Sequence, residues 1–517
     1  MDPPLPSDGD ASREAAAVYH RLTSFGPGRD STTPPDDPRL RSDLTPNDPA
    51  RLPPPVKRYR HPLEVAELPR ELPAVGVTAG DALAGRLPPA GRALDLAGLG
   101  RLLHLSAGVV RVTRRPTPPR TLLYRAAGSA GGRFPLELYV AARGVAGLSD
   151  GVWWYDPQAH ALRRVGPPAA GGGTTVVVCG VPWRTGWRYA ERGYRHVYWD
   201  AGTMLSQLLA TAAAAGAEPR LWSRFPDARV SALVGADGVH EFPLALVTLG
   251  AGAPATEPGG PAERGEVDRD PQELPLVTAT QRAGDMEGLG APWPAGPVAA
   301  PPSQATPPLD EVILHRGSAR RMDPAAGVAR ELLDWPLAVA LRGIHVPHFV
   351  VVHAVRDVAP GVYRVPDLAH PVRDRVPREE LVRVCLDQWL GGDAAYVAIG
   401  AAELERLGAR TYRDAQLAAG LVAGRLHLAA YALGAGASGM TFLDSAVPEL
   451  LGAPLAGLLF TCVGVPAYRS TPAEDRAGRL RCACRDRAWS RRPPAGDAGR
   501  AYAGAPLAAD RTAGPPS

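Results

Sequence analysis

Runs of apolar residues divide the chain into two comparable halves. Five short runs have the alternating or continuous apolar pattern of β-strands, and they lie at 136–140, 176–178, 244–249, 349–352 and 458–463. Two longer stretches, about 194–215 and 412–433, are apolar over most of a helical surface. A helix with this pattern is buried, so we expect the two long helices to pack against each other.

The two halves repeat each other in register. Four residue pairs share one spacing along the long apolar stretches: Tyr194/Tyr412, Arg195/Arg413, Gly202/Gly420 and Gly216/Gly434. Upstream, GVWWYDPQAHALRR in the first half matches GVYRVPDLAHPVRD in the second. Chance similarity between alanine-rich stretches does not keep register over so many positions, which indicates an internal duplication. Each half is predicted to be one α+β unit, and the two units are predicted to form a pseudo-dimer.

Composition marks the segments outside these halves. Pro and Asp are frequent near the start of the chain, Pro, Gly and Ala between the halves, and Arg, Pro and Ala at the end. The predicted order is a Pro-rich N-terminal region (1–55), a first domain (56–250), a linker (251–308), a second domain (309–469) and a tail (470–517).

Length and charge exclude several function classes. A chain of 517 residues is too long for one ordinary core, and its formal charge of +4 indicates neither nucleic acid nor anionic membrane as a partner. The start MDPPLPSDGD lacks the features of a signal peptide, and the apolar run near 201–217 is too polar for a membrane span. We therefore expect a cytoplasmic protein. Lys57 is the only lysine, which excludes a phosphate-loop lysine and makes a Schiff-base lysine implausible.

The cysteines indicate no metal centre and no disulfide framework. Five cysteines occur, without the spacing of a disulfide scaffold. Cys482 and Cys484 form a C-x-C pair in the arginine-rich tail, but no second ligand pair lies nearby.

A glycine-rich stretch precedes the first strong strand of the first half, in RAAGSAGGRFPLELY. We call residues 128–132 the glycine segment, and its members are Gly128, Ser129, Ala130, Gly131 and Gly132. Their side chains have almost no bulk, so a planar ring can approach the backbone closely. A plain turn before a strand is the competing interpretation.

An arginine-serine run opens the second half, in LHRGSARRM. Arg316, Ser318 and Arg320 stand at i, i+2 and i+4, and we expect them to converge on a ligand from the first turn of a helix. Guanidinium groups and free amides at a helix start are well suited to a phosphate. Taken alone, such a run is more often a solvated basic surface, and its position in a matched duplication favours a site.

Two further candidates lie near the end of the second half. Ser438, Gly439 and Met440 belong to a turn after the second long helix, where Gly434 has the alternative role of a helix C-cap. Arg469, after the last predicted strand, is a weaker candidate for a phosphate ligand.

Residues 55–469 resemble the nitroreductase superfamily of flavin enzymes, and within it the SagB-type azoline dehydrogenases of thiazole/oxazole peptide pathways. The resemblance rests on RAAGSAGGRFPLELYV, VPWRTGWRYAERGYRHVYWDAGTML and YALGAGASGMTFLDSAVPELLG. It implies an α+β fold with tandem FMN-dependent domains. In the family, one subunit supplies the arginine-serine run and the glycine turn, and the other supplies the serine-containing segment. The resemblance therefore implies one composite FMN site, built from 314–322, 434–440 and 128–132.

The reciprocal site is predicted to be eroded. The first half has GDALAGRLPPAGRALDLAGL where an arginine-serine run would be needed, and the second has LRGIHVPHF in place of a glycine segment. We therefore predict one FMN per chain.

The resemblance also points to Arg188 and Tyr189 as catalytic residues, because the azoline dehydrogenases carry a lysine–tyrosine pair there. Family chemistry implies proton removal from the azoline while hydride leaves to the flavin. We expect Arg188 to lower the pKa of Tyr189 and thereby make it an acid or base. Arg188 itself supplies charge but no proton. Packing of Trp187 and Tyr189 as aromatic residues is the competing interpretation.

The function implied by the resemblance is an FMN-dependent dehydrogenase that aromatises thiazolines or oxazolines in a ribosomal peptide. It implies a leader-bearing peptide substrate and a cyclodehydratase partner. Two alternatives stay open: an NAD(P)H-dependent reductase of small molecules, and a non-catalytic scaffold of a peptide-modifying complex. The replaced lysine and the eroded site keep the scaffold in consideration.

Overall fold

Two antiparallel sheets, one from each half of the chain, organise the molecule. The computed structural model describes residues 9–30, 33–87, 91, 94–114, 121–468 and 481–482. Arg469, Cys484 and the remainder of the predicted tail 470–517 lie outside the described residues.

The first sheet has seven strands in the order β1-β7-β6-β5-β8-β10-β9. Its strands are β1 (Val65–Glu67), β5 (Leu136–Ala142), β6 (Gly151–Asp156), β7 (Ala161–Gly166), β8 (Thr175–Gly180), β9 (Pro219–Trp222) and β10 (Phe242–Leu249). A hairpin of β3 (Val109–Arg114) and β4 (Thr121–Arg125) stands apart from it, and β2 (Glu71–Leu72) pairs with β17 (Arg481–Cys482).

The second sheet has six strands in the order β13-β12-β11-β14-β16-β15. Its strands are β11 (His348–Val352), β12 (Gly361–Arg364), β13 (Pro371–Arg373), β14 (Tyr396–Ala402), β15 (Gly436–Met440) and β16 (Ala456–Gly464). This order reproduces that of β7 to β9 in the first sheet, element by element. The predicted strands and the α+β class are confirmed, and the matching topology agrees with the duplication.

The helices repeat in the same way. Those of the first part of the chain are α1 (Asp10–Leu22), α2 (Ala79–Ala84), α3 (Leu96–Ala107), α4 (Pro182–Tyr189), α5 (Gly193–Ala214) and α6 (Asp227–Val234). Those that follow are α7 (Pro275–Arg282), α8 (Leu309–His315), α9 (Glu331–Ala340), α10 (Arg378–Val384), α11 (Trp389–Asp393), α12 (Ala409–Ala432) and α13 (Val447–Leu451). Short 3-10 turns lie at 49–51, 130–132, 190–192, 404–406 and 444–446.

Helices α5 and α12 form the centre of the molecule, as the apolar pattern predicts. Nearly all their residues are buried, and no other pair of helices makes so extensive a contact in the described chain. The matched glycines Gly202 and Gly420 allow the close approach. A methyl group at Gly202 would overlap the backbone of Leu417, and one at Gly420 would lie 2.5 Å from the carbonyl oxygen of Trp199.

Two reciprocal ion clusters tie the halves together. Arg192 and Arg195 at the start of α5 reach Asp444 in the second half, at 2.5 and 2.6 Å. Arg410 and Arg413 at the start of α12 reach Asp227 in the first half, at 2.7 and 2.9 Å. All these side chains are buried. Burial alone would raise the pKa of Asp444, but the two arginines lower it below its ordinary value.

Helices α1 and α7 lie in segments that composition assigned to an N-terminal region and a linker. Each is followed by a backbone amide that donates to the bridging carboxylate of a cluster: Phe25 to Asp444 at 2.8 Å, and Met286 to Asp227 at 2.9 Å. The two helices therefore hold equivalent places in the two halves. Their low hydrophobicity led to the prediction that these segments lie outside the core. A short helix can still form there, because it needs only one buried face. The boundaries of the five predicted segments stay a prediction.

No helix in the described part of the chain is both long and apolar enough to cross a bilayer.

Candidate functional site

The glycine segment links the β3–β4 hairpin to strand β5. Gly131 and Gly132 have φ values of 58° and 64°, in the left-handed region that glycine tolerates best. The hydroxyl of Ser129 accepts from the amide of Phe134 at 2.7 Å. The amides of Gly128, Ser129 and Gly131 donate to no acceptor among the residues that the structure describes, so the segment presents donors to a ligand.

The arginine-serine run follows a helix and does not open one. Helix α8 ends at His315, and Arg316 caps it in an extended conformation. The extended chain continues, with the amide of Ala319 donating to the carbonyl of Ala437 at 3.0 Å. The expected first helical turn is therefore wrong. Alternate side chains of an extended chain lie on one side. Arg316, Ser318 and Arg320 therefore still share a side, and the buried Ala319 lies on the opposite one.

The structure brings Arg316 and Ser318 of the second half beside Gly128 of the first. A methyl group at Gly128 would lie 3.7 Å from both Arg316 Nη1 and Ser318 Oγ. Arg316 also donates to Gln207 Oε1 on α5 at 3.0 Å and to the carbonyl of Ala126. The composite arrangement of the two halves is thus present in the fold.

Arg316 is a half-buried cation without a counter-charge among the residues that the structure describes. No carboxylate pairs with it in the described chain, and its acceptors are neutral oxygens. Burial lowers its pKa to about 10, while Tyr431 opposes the shift, so the guanidinium stays charged at neutral pH. An unneutralised buried charge costs free energy unless an anion completes the site. The residues present therefore fit a phosphate-bearing group.

Arg188 and Tyr189, the last residues of α4, lie at the other end of the glycine segment. A methyl group at Gly131 would lie 2.7 Å from Arg188 Cδ and 2.9 Å from the Tyr189 hydroxyl. Arg133 stacks over Trp187 at 4.6 Å. Neither Arg133 nor Arg188 forms an ion pair with any carboxylate that the structure describes. The segment therefore has unpaired arginines at both ends.

The expected lowering of the Tyr189 pKa is wrong. Burial raises the pKa of Tyr189, and this effect outweighs Arg188, which lowers it. The ring meets His196 edge-on at a centroid distance of 4.0 Å. Tyr189 is consequently a phenol at neutral pH, which makes it a hydrogen-bond donor and not a ready base.

Ser438, Gly439 and Met440 form the end of edge strand β15, where a turn was expected. The turn is confined to the residues before the strand, and Gly434 adopts φ 83° just after α12, as a helix C-cap does. Strand β15 runs beside the arginine-serine run through the contact of Ala319 with Ala437. Gly439 is exposed, and a methyl group there would meet only Leu459 Cδ1, at 3.9 Å.

Two predicted phosphate ligands remain, and the structure describes only one of them. Arg320 is exposed, and its backbone amide donates to the Tyr468 hydroxyl at 2.9 Å. Arg469 lies outside the described residues.

Sequence reasoning missed Asp200, which lies beneath the glycine segment on α5. Its carboxylate accepts from the amide of Ala130 at 2.9 Å and from the hydroxyl of Ser129. Burial raises its pKa to about 7, against the lowering effect of these two hydrogen bonds. A signal was available, because Asp200 is the only acidic residue in an otherwise buried helix.

A small cavity lies between the glycine segment and α5. Even counted with the adjoining open solvent, its empty space is about 250 Å³, and Ser129, Arg125, Asp200 and Met204 are among its lining residues. Ligand pockets usually span roughly 300 to 1,000 Å³, so the enclosed part of this cavity is too small for a flavin. A cofactor that uses the free amides and Arg316 would therefore need space outside this cavity.

The described residues contain no group of three or more side chains suited to a metal.

Comparison with known proteins shows a similarity to nitroreductases. No protein-family model matches the chain. A protein of Methanocaldococcus jannaschii assigned as a nitroreductase is 25% identical over 142 residues, which cover 25% of this chain and 70% of that protein.

A solved structure extends the likeness over both halves. A protein from Anabaena variabilis assigned as a nitroreductase aligns with a TM-score of 0.66 and 24% identity, covering 87% of this chain and 99% of that chain. The McbBCD microcin synthetase complex of E. coli matches at 18% identity over 38% of this chain and 70% of that chain, but its TM-score of 0.26 is too low to support an inference. The chain thus has a nitroreductase-like fold, and the comparisons support an oxidoreductase of that type.

Proposed function

We propose that this chain is an FMN-dependent dehydrogenase that oxidises azoline rings in a ribosomally made peptide. The proposal of an FMN cofactor rests on one observation: residues of both halves lie together at the glycine segment. There, among the residues that the structure describes, the half-buried Arg316 has no counter-charge and three backbone amides have no acceptor. The azoline substrate follows from the resemblance around Arg188 and Tyr189.

Residues from both halves would hold the cofactor. Arg316 and Ser318 suit the phosphate, because a guanidinium makes charge-assisted hydrogen bonds to such an anion. The glycine segment suits the planar ring, since Gly128 and Gly131 add no side chain to its surface. Gly439 leaves open space on the adjoining strand. Bound FMN would supply the hydride acceptor.

The chain itself must bind the substrate and handle one proton. Dehydrogenation of an azoline removes one hydride and one proton from the ring. Tyr189 holds its own proton at neutral pH because burial raises its pKa, so it can orient a substrate atom by donating a hydrogen bond. Arg188 supplies positive charge beside it. Neither group is a ready acceptor for the released proton.

A second candidate is a reductase that uses NAD(P)H. The phenol of Tyr189 favours it, since a phenol that keeps its proton can donate a hydrogen bond to an oxygen of a small acceptor during reduction. Turnover of NADPH with a quinone or nitroaromatic acceptor, without oxidation of azoline peptides, would select this candidate.

Flavin stoichiometry tests the cofactor. The purified chain is reconstituted with FMN and desalted, and the flavin released by heat is measured by absorbance. We expect about one FMN per chain for the wild type. Arg316→Ala should weaken binding about 10- to 100-fold, the range for a lost charge-assisted hydrogen bond. Arg330→Ala, which removes an exposed ion pair with Asp334 on α9, is the matched control.

The substrate is tested on the FMN-loaded chain with a thiazoline-containing peptide, by mass spectrometry for the loss of two hydrogens. Flavin that stays bound in Arg316→Ala would exclude the assigned cofactor site. Absence of bound flavin in the wild type would favour the scaffold function. Bound flavin without azoline oxidation would leave an oxidoreductase of another substrate class.

A further inference from the structure

Most buried carboxylates that the structure describes are paired with cations, but Asp200 and Glu191 form no ion pair. The paired ones are Glu137 with Arg184, Glu241 with Lys57, Asp310 with Arg101, Asp156 with Arg163, Asp227 with Arg410, and Asp444 with Arg195. Asp200 is only 5% exposed, and its partners are an amide and a hydroxyl. Of the two unpaired carboxylates, Asp200 is the one hydrogen-bonded to the glycine segment.

The groups around Asp200 do not neutralise it. Arg125 lines the same cavity but donates to the carbonyls of Leu136 and Pro55. His196 lies one turn earlier on α5, and burial holds its pKa well below the ordinary value, so its ring is neutral. Tyr189 on α4 is an uncharged phenol whose pKa Asp200 helps to raise. Asp200 therefore faces no fixed positive charge in the described structure.

Ser129 connects Asp200 to the glycine segment. Its oxygen accepts from the Phe134 amide and its proton points to Asp200, which leaves one lone pair free. The hydroxyl can therefore pass its proton to the carboxylate while it takes up another.

We propose that Asp200 is the proton acceptor of this site and acts through Ser129. This inference rests on the proposed function, which releases one proton and one hydride from the substrate. A substrate C–H bond breaks, and the proton forms a new O–H bond on Ser129. The former hydroxyl proton of Ser129 forms an O–H bond on Asp200, while a second C–H bond of the ring would give its hydride to bound FMN. Asp200 is a positioning residue, because it touches Ser129 and not the substrate.

The first test needs no cofactor. The carboxyl groups of the cofactor-free chain, labelled with 13C-aspartate, are titrated by infrared or NMR spectroscopy. We expect one carboxyl with a midpoint near neutral pH, absent in Asp200→Asn. Ser129→Ala removes a hydrogen bond to the charged form, so it should move that midpoint upward. This second variant keeps the test decisive if Asp200→Asn does not fold. No carboxyl that titrates between pH 5 and 9 would overturn the proposal.

The second test uses the FMN-loaded chain and measures the midpoint potential against pH. In the wild type, the slope should change near the Asp200 midpoint, because a carboxylate that takes up a proton on reduction couples the two events. The plot for Asp200→Asn should lack this change. Ser129→Ala keeps the carboxylate and should keep a break in slope, displaced to higher pH. Parallel plots for the wild type and Asp200→Asn would overturn the inference.

The two proposals fail in different ways. If the chain binds no FMN, the proposed function fails, while the titration of the cofactor-free chain still decides whether Asp200 holds a proton. If FMN binds and azolines are oxidised with equal pH profiles in the wild type and Ser129→Ala, the function stands and the relay is wrong.

Discussion

The candidate site and its pseudo-symmetric counterpart use the same scaffold in different ways. Helices α2 and α8 hold equivalent places, since the amide of Ala79 donates to Pro307 and that of Leu309 to Val77. Yet the C-cap residue of α8 is Arg316, whereas that of α2 is Gly85. The duplicated fold therefore preserved the backbone and lost the cation.

The counterpart of the glycine segment in the second half has also lost a feature of the candidate site, its open space. Ala142 pairs with Gly151 in one sheet, and Val352 pairs with Gly361 in the other. Counting back equally along both strands places Arg342 at the position of Gly132. Where the first half leaves open space at Gly132, the second half has a long side chain that donates to Leu83 at 2.7 Å.

The segment between the halves fills this counterpart. The amide of Trp293 donates to Leu221 on edge strand β9 at 2.6 Å, and its indole donates to Gly343 at 2.9 Å. Arg342 donates to the carbonyl of Pro297 at 2.6 Å. The comparison teaches that a repeated fold specifies a place for a ligand, while the residues that occupy this place decide whether a ligand can enter. It supports the prediction of one FMN per chain.

The largest expected effect concerns a feature that the halves share. Asp444→Asn leaves two buried guanidinium groups without an ion pair, and removal of one partner of a buried pair costs about 3 to 5 kcal/mol. Asp227→Asn leaves only Arg410 in that state, because Arg413 keeps its ion pair with Asp285 at 3.0 Å. In chemical denaturation, we expect a loss of unfolding free energy in this range for Asp444→Asn and a smaller loss for Asp227→Asn. A larger loss for Asp227→Asn would contradict this difference between the clusters.

Asp200 should behave differently from Asp227 and Asp444, because it is a buried carboxylate without a cation partner. Its folded-state pKa, about 7, lies above the ordinary value, so the folded chain binds the extra proton. Stability from this proton is present below about pH 4 and is lost as pH rises toward 7. At pH 8, Asp200→Asn should therefore be more stable than the wild type, by up to about 4 kcal/mol. Urea denaturation at pH 4 and 8 measures the difference; equal stabilities at pH 8 would contradict it.

The central helix contact should respond to a single methyl group. Gly202→Ala and Gly420→Ala place a side chain against the backbone of the facing helix, and overpacking of this kind costs about 1 to 3 kcal/mol. Thermal unfolding should show a lower midpoint for both variants. Gly171→Ala, at a position with nothing within 4 Å, is the control and should leave the midpoint nearly unchanged. Wild-type stability in both helix variants would mean that α5 and α12 lie farther apart.

The smallest expected effect lies at the filled counterpart. Trp293→Ala removes a ring from that place but restores neither an arginine at Gly85 nor a glycine at Arg342. We expect flavin content to stay within about twofold of one FMN per chain, since a phosphate gains no new partner. A second equivalent of flavin in this variant would show that Trp293 alone closes the counterpart.

Sequence reasoning reached the features that depend on local pattern. Apolar periodicity located α5 and α12, and repeated spacings such as that of Gly202 and Gly420 revealed the duplication. The glycine segment followed from composition. These predictions succeeded because the residues that carry them are neighbours in the chain or recur at a constant spacing.

Sequence alone therefore determined the duplicated α+β scaffold, its buried helices and the small-residue surface of the candidate site. Tertiary structure decided the rest. It placed Arg316 beside Gly128, put Trp293 into the counterpart, and left Asp200 unpaired beneath Ser129. It also kept Tyr189 protonated against the effect of Arg188. The physical reason is that burial and charge compensation are set by groups far apart in the chain, and no local pattern records which of them meet.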